Sequence, residues 1–306
     1  MIGVDIGSAA IKVAQLSRRG DALSLSAAAI CPRAGEDGGL AATLRAVRTL
    51  ASGMRGVRVA AMLSMQACGL DATAESEDRE ADRTYGCWQT PGGEGYRVHA
   101  SLRDVETVVE GCASAGLQCE VLDGAPLAIA RATPLASGDP DELVGALDWG
   151  ERAVTFVASK RGEVLYARRL AGDGFDSARA AVSETLGLSP SESAAAIRRH
   201  GLDTGSPAGR LVADAVRRSI RPTLTELSRT LNHLSAKLKT RGPERLVVLG
   251  GAATTPGVPE EIERRVELAT APWSADGLDR TADVAAPDCL LGPAIALSAL
   301  AWERAA

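Results

Sequence analysis

Two short segments, one in each half of the chain, place an aspartate two residues before a glycine where an apolar run ends. The first is Asp5 with Gly7, and the second is Asp148 with Gly150. A strand that ends in a glycine turn leaves backbone N–H groups free to hold phosphate oxygens. The aspartate can hold a hydrated Mg²⁺ that bridges those oxygens. The repeat therefore predicts two phosphate-binding turns.

The first turn carries two further residues that suit phosphate. Ser8 follows Gly7 directly, and Lys12 lies on the β-rich run after the turn. A compact ammonium beside a phosphate turn suits a contact with the β- or γ-phosphate. The simpler alternative is a lysine on the surface of a strand.

A third glycine motif lies towards the end of the sequence. Gly250 and Gly251 follow an apolar run at residues 247–249 and precede Ala252. Glycine lets a backbone approach a ligand closely, and the simpler alternative is an ordinary turn between a strand and a helix. It is the third place, after the two predicted phosphate turns, where glycine would let the backbone contact a ligand.

The composition is that of a globular protein. With 306 residues and 45% hydrophobic content, the chain is long enough for two domains with cores of their own. The net charge of −5 gives no reason to expect a nucleic-acid partner. The six cysteines include no CxxC pair, so we expect reduced thiols rather than a zinc site. No apolar run approaches the length of about 20 residues that spans a bilayer, so we expect membrane contact only through partners.

The elements around the two aspartates repeat. Each aspartate is predicted to end the first strand of a three-stranded meander, with strands at residues 2–6, 11–16 and 22–30 and again at 143–148, 153–159 and 164–170. We predict a first domain at 1–147, with a core at 1–39 and 124–147 and an inserted β/α subdomain at 40–123. The second domain is predicted at 148–306, with a core at 148–171 and 240–306 and a helical subdomain at 172–239.

Several stretches together resemble the actin/Hsp70/FtsA superfamily, and more narrowly the PilM family of type IV pilus assembly proteins. They are residues 3–13, 99–105, 115–117, 121–123, 186–195, 228–233 and 249–258. The resemblance implies an α/β actin-like ATPase fold, a duplicated ribonuclease H-like fold with two domains around a nucleotide cleft. It also implies a small inserted subdomain of the FtsA/PilM type. In PilM that subdomain helps to form a groove for the N-terminal cytoplasmic peptide of PilN.

The same resemblance implies ATP and Mg²⁺ as cofactors, with Asp5 and Asp148 as metal residues acting through water. The implied nucleotide-binding residues are Asp5, Gly7, Ser8, Lys12, Asp148, Gly150, Gly250, Gly251 and Ala252, with the last three on the adenosine side. Catalytic candidates are limited to Asp123, which precedes the second turn, and Asp148. We therefore expect a slow ATPase at best.

One departure from the family pattern lies in the second turn. Glu151 and Arg152 follow Gly150, where the family favours small residues. A carboxylate beside a triphosphate is unfavourable. Arg152 is the neighbouring cation that could compensate or contact phosphate, and otherwise the site is degenerate.

These features predict a cytoplasmic, ATP-binding scaffold at the inner-membrane face. Its expected partners are a PilN-like peptide and pilus or secretion motor components, and a homo-oligomer stays open. Two alternatives remain: a filament-forming protein of the FtsA type, or a sugar kinase of the same superfamily. The segment at 65–95 is shorter than in typical PilM, so we expect an altered partner groove.

Overall fold

The computed structural model describes residues 1–20, 22–33, 40–50, 53–71, 80–90, 93, 95–136, 139, 141–238, 242–281 and 286–303. Contacts within the chain divide it into two compact units. The first unit contains residues 1–140, 160–165 and 274–306, and the second contains residues 141–159 and 166–273.

Strands and helices alternate along much of the chain. The strands are β1 Ile2–Ile6, β2 Ala10–Arg19, β3 Ala22–Pro32, β4 Arg58–Leu63, β5 Cys68–Asp71, β6 Arg83–Gln89, β7 Gly95–Ser101, β8 Gln118–Gly124, β9 Val144–Trp149, β10 Val154–Lys160, β11 Glu163–Arg169, β12 Arg245–Leu249, β13 Thr270–Pro272 and β14 Asp279–Arg280. The α-helices are α1 Leu40–Leu50, α2 Leu102–Ser114, α3 Ala125–Ala136, α4 Asp176–Leu186, α5 Pro190–His200, α6 Pro207–Leu238, α7 Val258–Val266 and α8 Gly292–Glu303.

The main sheets of the two units have the same core topology. In the first unit the strand order is β14-β3-β2-β1-β4-β8, and in the second it is β11-β10-β9-β12-β13. In each sheet an antiparallel pair joins the first two strands of the unit, and a later strand adds parallel to the first. The predicted duplicated α/β fold is confirmed.

The predicted insert at 40–123 is only partly separate from the main sheet. Strands β4 and β8 pair within the main sheet of the first unit. A distinct sheet, of order β5-β7-β6, is formed only by strands between Cys68 and Ser101. Strand β6 is difficult to predict from sequence, because it is largely exposed and shows no apolar alternation.

Helix α8 packs against β1 at very close range. A Cβ atom on Gly3 would lie 1.8 Å from the carbonyl oxygen of Ala294, so only glycine fits there. The Ser298 hydroxyl donates to the Met1 carbonyl at 2.8 Å and accepts from the Leu16 N–H at 2.9 Å. Residues 274–306 therefore lie with the first unit, whereas the sequence analysis placed them in the second domain.

Helices α4, α5 and α6 lie within the stretch 172–239 that is predicted to be helical. Ser189 caps α5 and forms a capping box with Glu192, and Pro190 occupies the first helical position. Helix α6 continues through Pro222, although a proline inside a helix removes a backbone hydrogen bond. Among the described residues, no helix is long and apolar enough to cross a membrane.

The contact between Gly3 and α8 gives a stability prediction. Gly3→Ala should lower the free energy of unfolding by about 3 kcal/mol, because the new methyl group meets a backbone oxygen that cannot move without shifting α8. The matched control is Gly277→Ala, where no atom lies within 4 Å of the added Cβ. Urea denaturation of both variants measures the difference, and equal stabilities would contradict the packing described.

Candidate functional site

The first Asp-x-Gly segment forms the end of β1 in the first unit. Asp5 lies opposite Lys12 on β2, and the Lys12 Nζ atom is 2.7 Å from the Asp5 Oδ2 atom. The Asp5 side chain is 4% exposed and that of Lys12 is 17% exposed. The turn therefore begins with a buried carboxylate that already holds a cation.

Gly7 closes this turn rather than leaving its amide open. Its N–H donates to the Ala10 carbonyl at 3.1 Å, and a Cβ atom there would lie 2.8 Å from the same oxygen. Within the described ranges, the N–H groups of Ser8 and Ala9 donate to no acceptor. These two amides are the donors that remain for an anion.

Arg33 is a residue of this turn that the sequence analysis missed. Its N–H donates to the Ala9 carbonyl at 2.9 Å, and its Nη1 atom donates to the Gly7 carbonyl at 3.4 Å. Arg33, at the end of β3, thus engages both of these carbonyl groups. The chain pairing of Ala10 with Pro32 places Arg33 there. No local motif signals it.

The second Asp-x-Gly segment repeats this geometry at the end of β9. Gly150 N–H donates to the Ala153 carbonyl at 3.0 Å, as Gly7 does to Ala10. Asp148 lies opposite Thr155 on β10, at the position that Lys12 holds in the first unit. The second turn thus has a neutral threonine, only 2% exposed, where the first turn has a lysine.

The Glu151 carboxylate is neutralised by a cation from a distant helix. Its Oε1 atom lies 2.5 Å from the Nη2 atom of Arg179 on α4. The sequence pointed to Arg152 as the compensating residue. The structure pairs Glu151 with Arg179, which lies one turn into a helix that no turn motif would connect to Glu151.

The third motif meets the second turn within the second unit. Gly250 has φ of +82°, and a Cβ atom there would lie 2.5 Å from the Trp149 carbonyl and 2.9 Å from the Asp148 Oδ1 atom. Gly250 thus needs to be glycine because of β9 itself. Gly251 has open space around it, and Ala252 is fully buried. Of the three predicted adenosine-side residues, Gly251 alone has open space beside it for a ligand.

Asp123 lies apart from Asp5 in the first unit. Asp5 pairs with Met62 and Met62 pairs with Asp123, so a whole strand separates the two carboxylates. Arg131 donates to the Asp123 Oδ2 atom, and the Gly124 N–H donates to its Oδ1 atom at 3.0 Å. Burial raises the pKa of Asp123 despite the adjacent guanidinium. Both of its oxygens are engaged, so it is poorly placed to orient a water molecule.

No group of three or more His, Cys, Asp or Glu side chains in the described residues could hold a metal ion. Asp5 and Asp148 therefore belong to no such group. A Mg²⁺ ion at either turn would be held by the aspartate together with water, which is the contact that the resemblance implies.

A groove of about 890 Å³ lies in the first unit, and we call it the α3 groove. It combines apolar and cationic side chains, and its lining includes Trp88, Leu127, Leu135, Trp302, Arg18, Arg131 and Arg161. The Trp88 ring stacks on Tyr96 at 5.3 Å, which fixes one wall. The groove could not be predicted from the sequence, because its lining residues come from five separate segments.

No protein-family model and no curated protein matches the chain. Solved structures do match, and they define the class: the chain has the fold of the actin-like ATPases. The structure titled "PilM-PilN type IV pilus biogenesis complex" is 21% identical, with a TM-score of 0.75 over 97% of this chain and 96% of that chain. The resemblance to PilM is thus confirmed at the level of the fold.

Two other structures share this fold. The ethanolamine utilization protein EutJ from Carboxydothermus hydrogenoformans is 16% identical, with a TM-score of 0.60 over 97% of this chain and 88% of that one. The activator of 2-hydroxyisocaproyl-CoA dehydratase from Clostridium difficile, solved with bound ADPNP, is 13% identical, with a TM-score of 0.50 over 100% and 95%.

The raised pKa of Asp123 gives a pH prediction. Its carboxyl binds a proton more tightly in the folded than in the unfolded chain, where the pKa is about 3.9. This group therefore lowers the free energy of unfolding as pH rises from about 4 through its folded pKa. Carboxyl NMR titration should show a midpoint above that of an ordinary aspartate, and Asp123→Asn should remove this part of the pH dependence. A midpoint below about 3.9 would show that Arg131 outweighs burial.

Proposed function

We propose that this chain is a PilM-like, nucleotide-binding scaffold of a type IV pilus or related secretion assembly platform. It binds the N-terminal cytoplasmic peptide of a PilN-like partner and acts in the cytoplasm at the inner-membrane face. The observation that carries the proposal is the similarity to PilM in the PilM–PilN complex, which spans almost the whole of both chains.

Nucleotide binding is supported by groups within each unit taken by itself. In the first unit, Ser8 and Ala9 offer open backbone N–H groups, Asp5 supplies a carboxylate and Lys12 supplies a cation. In the second unit, Asp148 supplies a carboxylate and Gly251 has open space beside it. A related fold binds ADPNP in the dehydratase activator. Each set of residues suits phosphate or hydrated Mg²⁺.

Nucleotide would act here by population shift rather than by turnover. A ligand that binds one conformation better than another shifts the equilibrium without being consumed. Fast hydrolysis requires a group that orients water in line with the γ-phosphate. Asp123 is held by Arg131 and Gly124, so we expect slow hydrolysis at best.

The α3 groove suits an extended peptide. Its two tryptophans offer apolar contact for anchor side chains of a peptide, and its lining also carries charged side chains. Motor components and further copies of the chain would join the same platform through other surfaces.

The nucleotide part of the proposal is tested by calorimetric titration with Mg·ATP. Asp148→Asn should weaken binding at least about tenfold, because it removes the charge that holds the hydrated metal ion. Asp214→Asn is the control, since its carboxylate lies 62% exposed on α6 in the same unit. Phosphate release on the same samples should stay slow. Tight binding that is insensitive to Asp148→Asn would contradict the assigned site.

The partner site is tested with a fluorescent synthetic peptide from the N-terminus of the host's PilN-like protein. Trp302→Ala should weaken binding of the peptide at least about tenfold, because it removes an aromatic side chain from the lining of the α3 groove. Val109→Ala is the control outside the groove, because Val109 is an apolar residue of α2 that is 44% exposed, and it should leave affinity unchanged. Equal affinities for both variants would place the peptide elsewhere.

A further inference from the structure

The second phosphate turn differs from the first in its charge. Where the first turn has Ser8 and Ala9, the second has Glu151 and Arg152. Glu151 is 24% exposed and its partner Arg179 is 34% exposed, with 2.5 Å between the Oε1 and Nη2 atoms. Glu151 of this partly buried ion pair thus lies at a position where the first turn has the neutral Ser8.

Backbone hydrogen bonds join the second turn to the start of α4. Phe175 N–H donates to the Gly150 carbonyl at 2.9 Å, and Asp176 N–H donates to the Glu151 carbonyl at 3.0 Å. A Cβ atom on Gly174 would lie 2.1 Å from the Glu151 carbonyl oxygen, so the two segments are in close contact. Motion of the turn and motion of α4 are therefore coupled.

Helix α4 is in turn joined to the long helix α6. The hydroxyl groups of Ser177 and Ser219 lie 2.9 Å apart, and the apolar side of α4, with Ala178 and Val182, is fully buried. A displacement of α4 would be transmitted to α6 because packed helices move together. The ion pair thus connects the turn with the helical part of the second unit.

We propose that the Glu151–Arg179 pair is a latch that an anionic phosphate group opens. While the ion pair is formed, the Glu151 carboxylate repels a phosphate at the second turn, and the Arg179 guanidinium binds Glu151 instead of the phosphate. A bound phosphate draws the Arg179 guanidinium away from Glu151 and takes its charge-assisted hydrogen bonds. Nucleotide binding would then be read out as a shift of α4. This inference rests on the proposed nucleotide binding.

If the ion pair acts as a latch, substitutions of Glu151 and of Arg179 should change the affinity for Mg·ATP in opposite directions. Glu151→Gln removes the repelling charge and frees Arg179 for phosphate, so Mg·ATP affinity should rise about tenfold. Arg179→Gln leaves an unpaired carboxylate at the turn and removes a phosphate ligand, so affinity should fall about tenfold or more. A purely structural tie would give losses in both variants.

The experiment is a calorimetric Mg·ATP titration of the full chain and of Glu151→Gln, Arg179→Gln and Glu226→Gln. Glu226→Gln is the matched control, because Glu226 forms an ion pair of the same 2.5 Å length with Arg168 in the same unit. Hydrogen exchange across residues 176–186 is followed with and without nucleotide. Mg·ATP should change exchange there in the wild-type chain, and Glu151→Gln should start closer to the bound pattern.

The outcomes separate the latch from the proposed function. Opposite shifts for the two variants, with Glu226→Gln unchanged, support the latch. Shifts in the same direction, or no shift while the wild-type chain binds Mg·ATP, overturn the latch and leave nucleotide binding intact. Absence of binding in the wild-type chain and in Glu151→Gln overturns both.

Discussion

The hydrogen bond that closes each Asp-x-Gly turn is the constraint on which the rest of the structure depends. Gly7 and Gly150 donate their N–H groups back to Ala10 and Ala153, at 3.1 and 3.0 Å. This bond reverses the chain within a few residues and fixes the register of the hairpin. The register decides which side chain faces each aspartate. In the first turn the amides that remain open are those of Ser8 and Ala9, in the middle of the turn rather than at the glycine.

Most of the two meanders could be predicted from the sequence, because buried strands with glycine turns leave a strong local pattern. Strands β1, β2 and β3 and their counterparts β9, β10 and β11 appear close to the expected positions. What the sequence did not reveal depends on contacts between distant segments. The apolar helix α8 shows no amphipathic face, so nothing local indicates that it covers β1. Strands β4 and β8 lie in the stretch that was assigned to the insert, and only their pairing shows that they belong to the main sheet.

In the candidate site, too, local sequence patterns could be predicted and contacts between distant segments could not. The aspartates, the turn glycines and Lys12 stand out because residue type and spacing point to phosphate chemistry. Arg33 and Arg179 do not, since each reaches its turn from a separate segment. Gly250 was predicted to be a glycine that lets the backbone approach a ligand. In the structure the groups that lie close to it are the Asp148 side chain and the Trp149 carbonyl. Pattern can thus identify a special backbone position without identifying what approaches it.

The first unit is built from pieces that are far apart in the chain, and this has a consequence for folding. Its sheet begins at β1, yet it is completed by α8, whose Ser298 hydroxyl joins Met1 to Leu16. In the sequence, the residues of the second unit come after β1 and before α8. During synthesis the second unit can therefore fold while the first still lacks its closing helix. Contacts of such long sequence separation form slowly, so the exposed face of β1 is the surface that a chaperone would have to protect.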